Sequence, residues 1–422
     1  MRQSQLFTKT RKESPKDEVS KNAQLLIRAG YIHKEIAGVY ALLPLGLRVM
    51  KKIENIIREE MNLIGGQEIQ MTTLQDPTIW KEADKWDDKK VDVWFKTELK
   101  NGSKLGLAFS HEEAIAEMLK QHMNSYKDLP FSVYQFQTKF RNELRAKSGI
   151  MRGREFLMKD MYSFGRTSEE LHKFYNQAKD AYTRVFTRVG LGDYTYLTLS
   201  DGSVFSDWSH EFQTLSEAGE DYVYADMGEK LAINEEVYED ENIRKMGVEM
   251  GIDMNNLKKE KSIEVGNIFP IEKKVANALN FTYIDEAGNQ QPVIMGSYGI
   301  GLGRVMGAVV EVLSDEKGII WPENIAPFKV HLIALMQEEG TDVRDTAEKL
   351  YSTLTEKGIE VLYDDRDVRP GEKFADADLL GMPWRVVVSE RALEAGGVEL
   401  KKRTETDADI VPLEELLKVL QK

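Results

Sequence analysis

Between Phe140 and Phe164 the chain reads FRNELRAKSGIMRGREFLMKDMYSF, four arginines and two glutamates set between apolar, aromatic-bearing flanks. Guanidinium groups pair with phosphate oxygens in a planar, bidentate way, an aromatic ring can cover a purine, and a carboxylate can accept the amino group of adenine. Arg141 and Glu143, then Arg145, Lys147, Arg152 and Arg154, then Phe156 therefore suit a nucleoside triphosphate. A solvated hairpin carrying surface ion pairs is the plainer alternative.

A second constellation, VIMGSYGIGLGRVMGAVVEVL, reads as a strand, a glycine-rich turn and a helix. Gly296, Gly299, Gly301 and Gly303 let the backbone pass close to a ligand, and Arg304 falls in the opening turn of the helix. A dinucleotide-binding turn fits poorly, because counting G-x-G-x-x-G from Gly299 puts Arg304 where the third glycine belongs. A tightly packed turn with a surface arginine stays open. His111-Glu112-Glu113 looks like the start of a zinc-protease helix, but Ile115 stands where the second histidine must be.

The elements that must position these residues follow from periodicity. Leu47, Met50, Ile53, Ile57, Met61 and Ile64 recur at helical spacing over Leu45 to Ile64, and Gly65-Gly66 stops the helix. A short strand, QEIQM, follows. A further helix is expected from Ser110, whose hydroxyl and the Glu113 three residues on form a capping-box pattern. In SVYQFQTKFRNE, Tyr134, Phe136, Thr138 and Phe140 share one strand face, and Gln135, Gln137, Lys139, Arg141 and Glu143 the other. After a loop at about 144–154 the alternation resumes, with Phe156, Met158, Asp160, Tyr162 and Phe164 on one face. The two runs predict an antiparallel hairpin.

Residues 222–262 are acidic, helix-like and weakly apolar, which predicts an insertion on the edge of another element. From Phe328 strands such as KVHLIAL and WRVVVS alternate with helical stretches, a small α/β domain. A boundary near 325 divides the chain, and no internal repeat is present.

At 422 residues the chain exceeds the usual size of one core, so two domains are expected. A net charge of −14 argues against nonspecific nucleic-acid binding, although local basic patches remain compatible with RNA. With no cysteine there are no disulfides, thiolate zinc sites or cysteine nucleophiles. The first residues, MRQSQLFTKTRKESPKDE, lack the apolar core of a signal peptide, and no apolar run approaches the ~20 residues that cross a bilayer. A soluble, cytoplasmic protein is expected.

The order of these signals resembles the three motifs of class II aminoacyl-tRNA synthetases, and the text between them resembles the bacterial-type prolyl-tRNA synthetases. The residues that carry the likeness are LIRAGYIHKEIAGVYALLPLGLRVMKKIENIIREEMN, FSHEEAI, YQFQTKFRNELRAKSGIMRGREFLMKDMYSF, SHEFQTLSEAGED, IEVGNIF, MGSYGIGLGR and DDRDVRPGEKFADADLLGMP. The likeness spans nearly the whole chain apart from 222–262. It implies an α+β fold: an antiparallel sheet flanked by helices over 1–325, with 222–262 as a short insertion in place of an editing domain. An α/β anticodon-binding domain over 326–422 would complete it.

Roles carry over position by position. Arg141 matches the arginine that holds the α-phosphate and the amino-acid carboxylate, and Glu143 the acid that contacts adenine. Arg152 would hold the outer phosphates of a bent ATP, Phe156 would stack on the base, and Arg304 would grip the γ-phosphate. Arg141 and Arg304 are thus the implied catalytic pair. Ser110 and Glu112 match the Thr-x-Glu element that receives the imino group of proline. Met158, Asp160 and Tyr162 would line the pocket, with His210 and Ser297 closing it.

Arg145 and Lys147 are implied tRNA contacts at the acceptor end, and Arg366, Arg369 and Lys373 at the anticodon. The resemblance implies ATP with Mg²⁺, helped by Glu211, and no zinc. The implied partners are L-proline, ATP, tRNA(Pro), a second copy of the chain through Leu45 to Ile64, and a separate Ala-tRNA deacylase acting in trans. No membrane is involved. The chain departs from the family at Thr72, where motif 1 carries proline, at Phe109-Ser110 in place of Pro-Thr, at VFSDW before the Ser-His-Glu-Phe run, and at Asn267 and Glu272.

Two other readings stand beside this one. A catalytically silent paralogue that binds tRNA or an amino acid for regulation would not need Arg141, Glu143, Arg152, Phe156 and Arg304 together. A sister enzyme for threonine would need a cysteine-bearing zinc site that this chain cannot form.

Overall fold

The structure is a computed structural model that describes residues 1–144, 146–202, 206–335 and 342–421. Backbone packing divides it into two compact units, residues 35–40 with 53–308, and residues 1–34 and 41–52 with 309–422.

The first unit is built on a nine-stranded sheet. Its strands are β1 (Gln67–Glu68), β2 (Phe131–Phe140), β3 (Glu155–Gly165), β4 (Thr195–Asp201), β5 (Trp208–Leu215), β6 (Asp221–Asp226), β7 (Leu231–Asn234), β8 (Leu257–Glu272) and β9 (Ile294–Gly301). The spatial order is β5-β4-β7-β6-β8-β9-β3-β2-β1, with β8 also pairing back to β5. Pairing is antiparallel except for β4 with β7 and β1 with β2.

The hairpin read from alternation is β2 and β3, in a register that opposes Gln135 to Asp160 and Lys139 to Phe156. Its far end packs Phe131 on Phe164, with ring centroids 5.0 Å apart, against a core that includes Phe281, Val133 and Met295.

Segment 222–262 differs from the helical insertion expected of it. Only Glu241–Met250 is a regular α-helix there; β6, β7 and the start of β8 belong to the sheet. In DYVYAD, Val223 and Ala225 are fully buried while Asp221 and Tyr222 are not. Charged residues fall on both faces here, with Asp226 buried and 258–261 charged without a break, and this hides the period of two.

The helix α1 (Pro44–Leu63) buries Val49, Ile53, Ile57 and Met61, while Leu47 and Leu63 stay exposed. Gly65 ends it with a backbone φ of +84°, a left-handed conformation glycine adopts without steric cost. The helix α2 (Glu112–Leu119) starts later than the capping pattern predicts. Ser110 Oγ turns instead to the Glu112 carboxylate, and Glu113 pairs with Lys85 Nζ at 2.5 Å. Buried acids with better partners nearby outcompete the cap.

The helix α3 (Ser168–Arg188) covers the sheet face opposite the hairpin's polar residues, burying Tyr175, Tyr182 and Phe186, and Tyr182 and Phe186 each lie 5.2 Å from Phe212. Strand β9 leads directly into α4 (Leu302–Leu313), so Arg304 does lie in the opening turn.

The other unit carries a five-stranded sheet. Its strands are β10 (Val330–Ala334), β11 (Val361–Asp364), β12 (Trp384–Val388), β13 (Val398–Lys402) and β14 (Asp409–Val411), ordered β11-β10-β12-β13-β14. The first three are parallel and the last two antiparallel. Val330, Leu332, Val361, Val386 and Val388 form its core. A helix, α5 (Pro370–Leu380), opens on proline and closes on Gly381 at φ +78°. The start of the chain packs onto this unit: the Met1 ammonium donates to Val361 O at 2.8 Å, and Arg2 bridges to Glu348 at 2.5 Å. Pattern alone, which set a boundary near 325, carries no trace of that contact.

Candidate active site

The polar face of β2, the β3 face bearing Phe156 and Met158, the end of β9 and the first turn of α4 converge on one region. Two adjoining cavities lie there, of about 240 and 250 Å³. They share Arg141, Glu143, Met151, Arg152, Glu264 and Arg304. Phe156, Met158, Asn267, Gly299 and Gly301 line the first, and Ser148, Glu220 and Asp221 the second. A bulge in β8 sets part of this wall. Phe212 opposes Gly266 and Gln213 opposes Glu264, so Val265 is the extra residue and both Glu264 and Asn267 reach the cavity.

The guanidinium groups are held by the protein itself. Arg304 donates from Nη1 to Glu264 Oε2 at 2.7 Å and to Glu264 O at 3.0 Å, and from Nε to Met151 O at 3.0 Å. Arg152 donates from Nε and Nη2 to Glu143 Oε2 at 3.1 and 2.9 Å, and its Nη1 pairs with Glu220, which also accepts from Ser148. The Arg141 guanidinium lies 5.4 Å from the centre of the Phe156 ring. Burial first, and then the like charge of Arg304, lower the Arg141 pKa. Positive groups crowded this way favour an anion between them.

Ser110, Glu112, Asp160, Tyr162 and Ser297 line neither cavity; they form a buried polar network next to the first one, where Asp160 opposes the lining residue Gly299. Ser110 and Ser297 both donate to the Glu112 carboxylate, Ser297 at 2.9 Å. Asp160 Oδ2 accepts from Gln135 at 2.8 Å and from Tyr162 at 2.7 Å, while Oδ1 lies 2.8 Å from Lys139 Nζ. Burial alone would raise the Asp160 pKa, but the Lys139 ammonium, helped by the Gln135 hydrogen bond, holds it below the usual range. Burial, with Asp160 adding to it, drives Tyr162 well up. His111 is brought down to about 4, mostly by burial and then by Lys139, so it is neutral. Its Nε2 must donate to the Thr72 carbonyl at 3.0 Å, which leaves Nδ1 to accept from Lys139.

Glu211 accepts from Gln213 at 2.8 Å and Asn234 at 3.2 Å, and burial together with the negative charge of Glu264 pushes its pKa up to about 8. The buried oxygens Gln213 Oε1 and Asn267 Oδ1, on the strand residues beside it, have no hydrogen-bond partner. Among the described residues there is no group of three or more acidic or histidine side chains placed to hold a metal. A pair of carboxylates with orphaned oxygens nearby fits a Mg²⁺ that arrives with phosphates, since that ion commonly takes one or two protein carboxylates and fills its shell from the nucleotide and water.

Not every residue singled out above meets the cavities. His210 points to the opposite face, where Nδ1 meets Tyr175 OH of α3 at 2.9 Å and Nε2 lies 3.4 Å from Met250 Sδ. Its neighbour Glu211 takes the inner face, as strand alternation requires. Lys373 is 2% exposed and donates to Ala334 O at 2.8 Å and Asp364 O at 3.3 Å, so it is an internal tie of its unit. Arg366 is likewise engaged, with Asp364 at 2.7 Å and Asp376 at 2.9 Å. Arg369 and Lys147 are exposed. Arg145 lies outside the described residues.

Four participants went unassigned from sequence: Gln135, Lys139, Glu220 and Glu264. The first two stand on the same strand face as Arg141, and that alternation was the signal for them. Glu264 and Glu220 arrive through a bulge and a loop, which alternation cannot foresee.

Residues 95–313 match a family model of the tRNA synthetase class II core domain (G, H, P, S and T), and residues 329–422 match an anticodon binding domain. A proline–tRNA ligase of Rhodopseudomonas palustris (strain HaA2) is 38% identical over 441 residues, covering 98% of this chain and 98% of the relative. One from Caulobacter sp. (strain K31) is 38% identical over 436 residues, covering 99% and 97%. Among solved structures, prolyl-tRNA synthetase from Cryptosporidium parvum complexed with L-proline and AMP is similar with a TM-score of 0.76 at 16% identity, over 95% of this chain and 74% of that one. Giardia lamblia prolyl-tRNA synthetase in complex with prolyl-adenylate gives 0.75 at 18% identity, over 93% and 74%. At those identities the two structures speak for the fold.

Proposed function

The chain belongs to the proline–tRNA ligases, a family of class II aminoacyl-tRNA synthetases, and from that membership we propose that its paired cavities activate proline with ATP. The ligase forms prolyl-adenylate and passes the prolyl group to the 3′ end of tRNA(Pro). The observation that carries the residue-level reading is the convergence of Arg141 and Arg152, from the hairpin, with Arg304, from the first turn of α4, on the same two cavities.

Activation brings the carboxylate of proline against the α-phosphorus, so two anions must meet and pyrophosphate must leave. Arg141 would neutralise both, and Arg152 and Arg304 would hold the departing phosphates. Glu143 and Phe156 take the adenine. Ser110, Glu112 and Ser297 receive the imino group, and Met158, Asp160 and Tyr162 bound the ring. Glu211 and Glu264 would hold Mg²⁺, which supplies positive charge to the phosphates when bound. The step requires no protein nucleophile, and a chain without cysteine has no thiolate zinc site. In the second step the 3′-hydroxyl of the terminal adenosine attacks the adenylate.

Residues 326–422, with Arg369 exposed, serve as the anticodon-binding part, and the exposed Lys147 would meet the acceptor end. Segment 222–262 is spent on sheet strands and one helix, which supports the absence of an editing module. Alanine differs from proline by carbon atoms worth only ~1–3 kcal/mol each, so clearance of Ala-tRNA falls to a separate deacylase. A homodimer through α1 is supported by the exposed Leu47 and Leu63, and a cytoplasmic setting by the absence of cysteine.

The test is exchange of labelled pyrophosphate into ATP with each of the twenty amino acids. Proline alone is expected to support it at high rate, and Arg304→Met is expected to lower kcat/KM by about 10²–10³-fold, the usual loss of an electrostatic donor in the transition state. Exchange driven equally by another amino acid, or an unaffected Arg304→Met, would reject the reading.

A further inference from the structure

Lys139 carries a charge that the activation step does not use. Its side chain is 1% exposed, and its ammonium sits between Asp160 Oδ1 at 2.8 Å and His111 Nδ1 at 2.5 Å. His111 is neutral and is fixed in turn by the Thr72 carbonyl. Among the described residues the only carboxylate touching this ammonium is Asp160, whose other oxygen is taken by Gln135 and Tyr162. An isolated buried ion costs several kcal/mol, so each of the two charges is stable there because of the other.

The pocket's charges then balance in a particular way. Glu112 faces the imino group of the substrate and Arg141 its carboxylate, which accounts for both charges of the amino-acid zwitterion. Asp160 is left at the ring end, where proline has no charge to offer. Without Lys139 that carboxylate would be a bare anion in a site of low dielectric, and would draw any amino acid bearing a cation on its side chain.

We propose that Lys139 is a specificity-determining residue: as the buried counter-ion of Asp160, it makes the ring end of the amino-acid pocket electrically neutral and so excludes cationic side chains. The inference rests on the reading that Asp160 and Tyr162 bound the proline ring. Lys139 itself touches no substrate and acts through Asp160.

The experiment compares pyrophosphate exchange driven by L-proline and by cis-4-amino-L-proline, a ring of the same size carrying an ammonium. Four full-length chains are used: the native one, Lys139→Met, Asp160→Asn and the double variant. In Lys139→Met, the ratio of kcat/KM for the amino analogue over proline rises by at least about ten-fold, the equivalent of ~1.4 kcal/mol of uncovered charge. The KM for proline rises in the same variant while kcat stays within about three-fold, because Asp160 acts in binding. Asp160→Asn leaves Lys139 unopposed and depresses the ratio below the native value. The double variant, with neither charge, returns it to within about three-fold of native.

An unchanged ratio in Lys139→Met overturns the proposal while leaving the proline pocket in place. If that variant does not fold, the comparison of Asp160→Asn with the double variant decides, since equal ratios in those two overturn the proposal as well. A proline KM and an analogue ratio both unaltered in Asp160→Asn would remove Asp160 from the pocket, and that result strikes the underlying reading instead.

Discussion

Arg152 meets its nucleotide already engaged, and that engagement sets a measurable handicap on ATP binding. Its Nη1 pairs with Glu220, while Nε and Nη2 bind Glu143. If Arg152 is to hold the outer phosphates, Nη1 is the edge that must be released, so Glu220 competes with the triphosphate. The side chains of Arg152 and Glu220 are 40% and 45% exposed, which places the pair in the screened class worth about 0.5–1 kcal/mol. Glu220→Gln keeps the shape and an acceptor for Ser148 but removes the charge. It is expected to lower the KM for ATP by about two- to five-fold, the same free energy expressed as a ratio. The assay is proline-dependent pyrophosphate exchange at saturating proline, at about 0.05 M and 0.5 M salt, where the Debye length shrinks from beyond 10 Å to a few ångströms and the advantage must shrink with it. In an Arg152→Met background the substitution must have no effect on the KM for ATP. A KM that is unchanged or raised in the single variant would show that Glu220 orients Arg152 rather than competing for it, and the argument would be refuted.

Glu211 predicts a pH dependence of stability and of Mg²⁺ affinity. Its pKa is about 8 in the fold against 4.5 as the ordinary value, so the folded chain holds a proton that the unfolded chain has lost between those pH values. This group's contribution to stability therefore falls as pH rises from about 4.5 to 8, and Glu211→Gln should flatten that part of the melting-temperature profile. Mg²⁺ must displace the same proton, so its stabilisation of the chain in the presence of ATP should be larger at pH 8.5 than at pH 6.5, a difference the variant abolishes. At Gly299, a Cβ would stand 2.5 Å from Met158 Cε, the mobile end of a side chain that lines the cavity. Gly299→Ala should therefore fold normally, with a melting temperature within about 2 °C of native, yet raise the KM for proline by displacing Met158; a large loss of stability with unchanged KM would contradict this.

The hairpin and the turn before Arg304 were legible because period-two alternation and a glycine cluster are local signals that survive any tertiary context. His210 shows where such reasoning ends. A histidine next to Glu211 on a strand must face the other way, but which of the two faces is the site depends on where α3 lies, and no spacing within the strand records that. The same limit explains Lys373, which the resemblance made an anticodon contact. Pro370 fixes where that helix starts, and from there its lysine falls on the buried side, where two backbone carbonyls, Ala334 O and Asp364 O, accept from its ammonium. Lys139 is the opposite case: the face was read correctly, yet a lysine on a polar strand face is ordinarily solvated, and only the register that opposes Gln135 to Asp160 brings that carboxylate within 2.8 Å of its ammonium. A buried ion is recognisable from sequence only when its partner is near in the chain. Here the partner lies twenty-one positions away across a turn, so the charge balance of the pocket, and with it the discrimination argued for Lys139, is a property of the strand pairing rather than of any single motif.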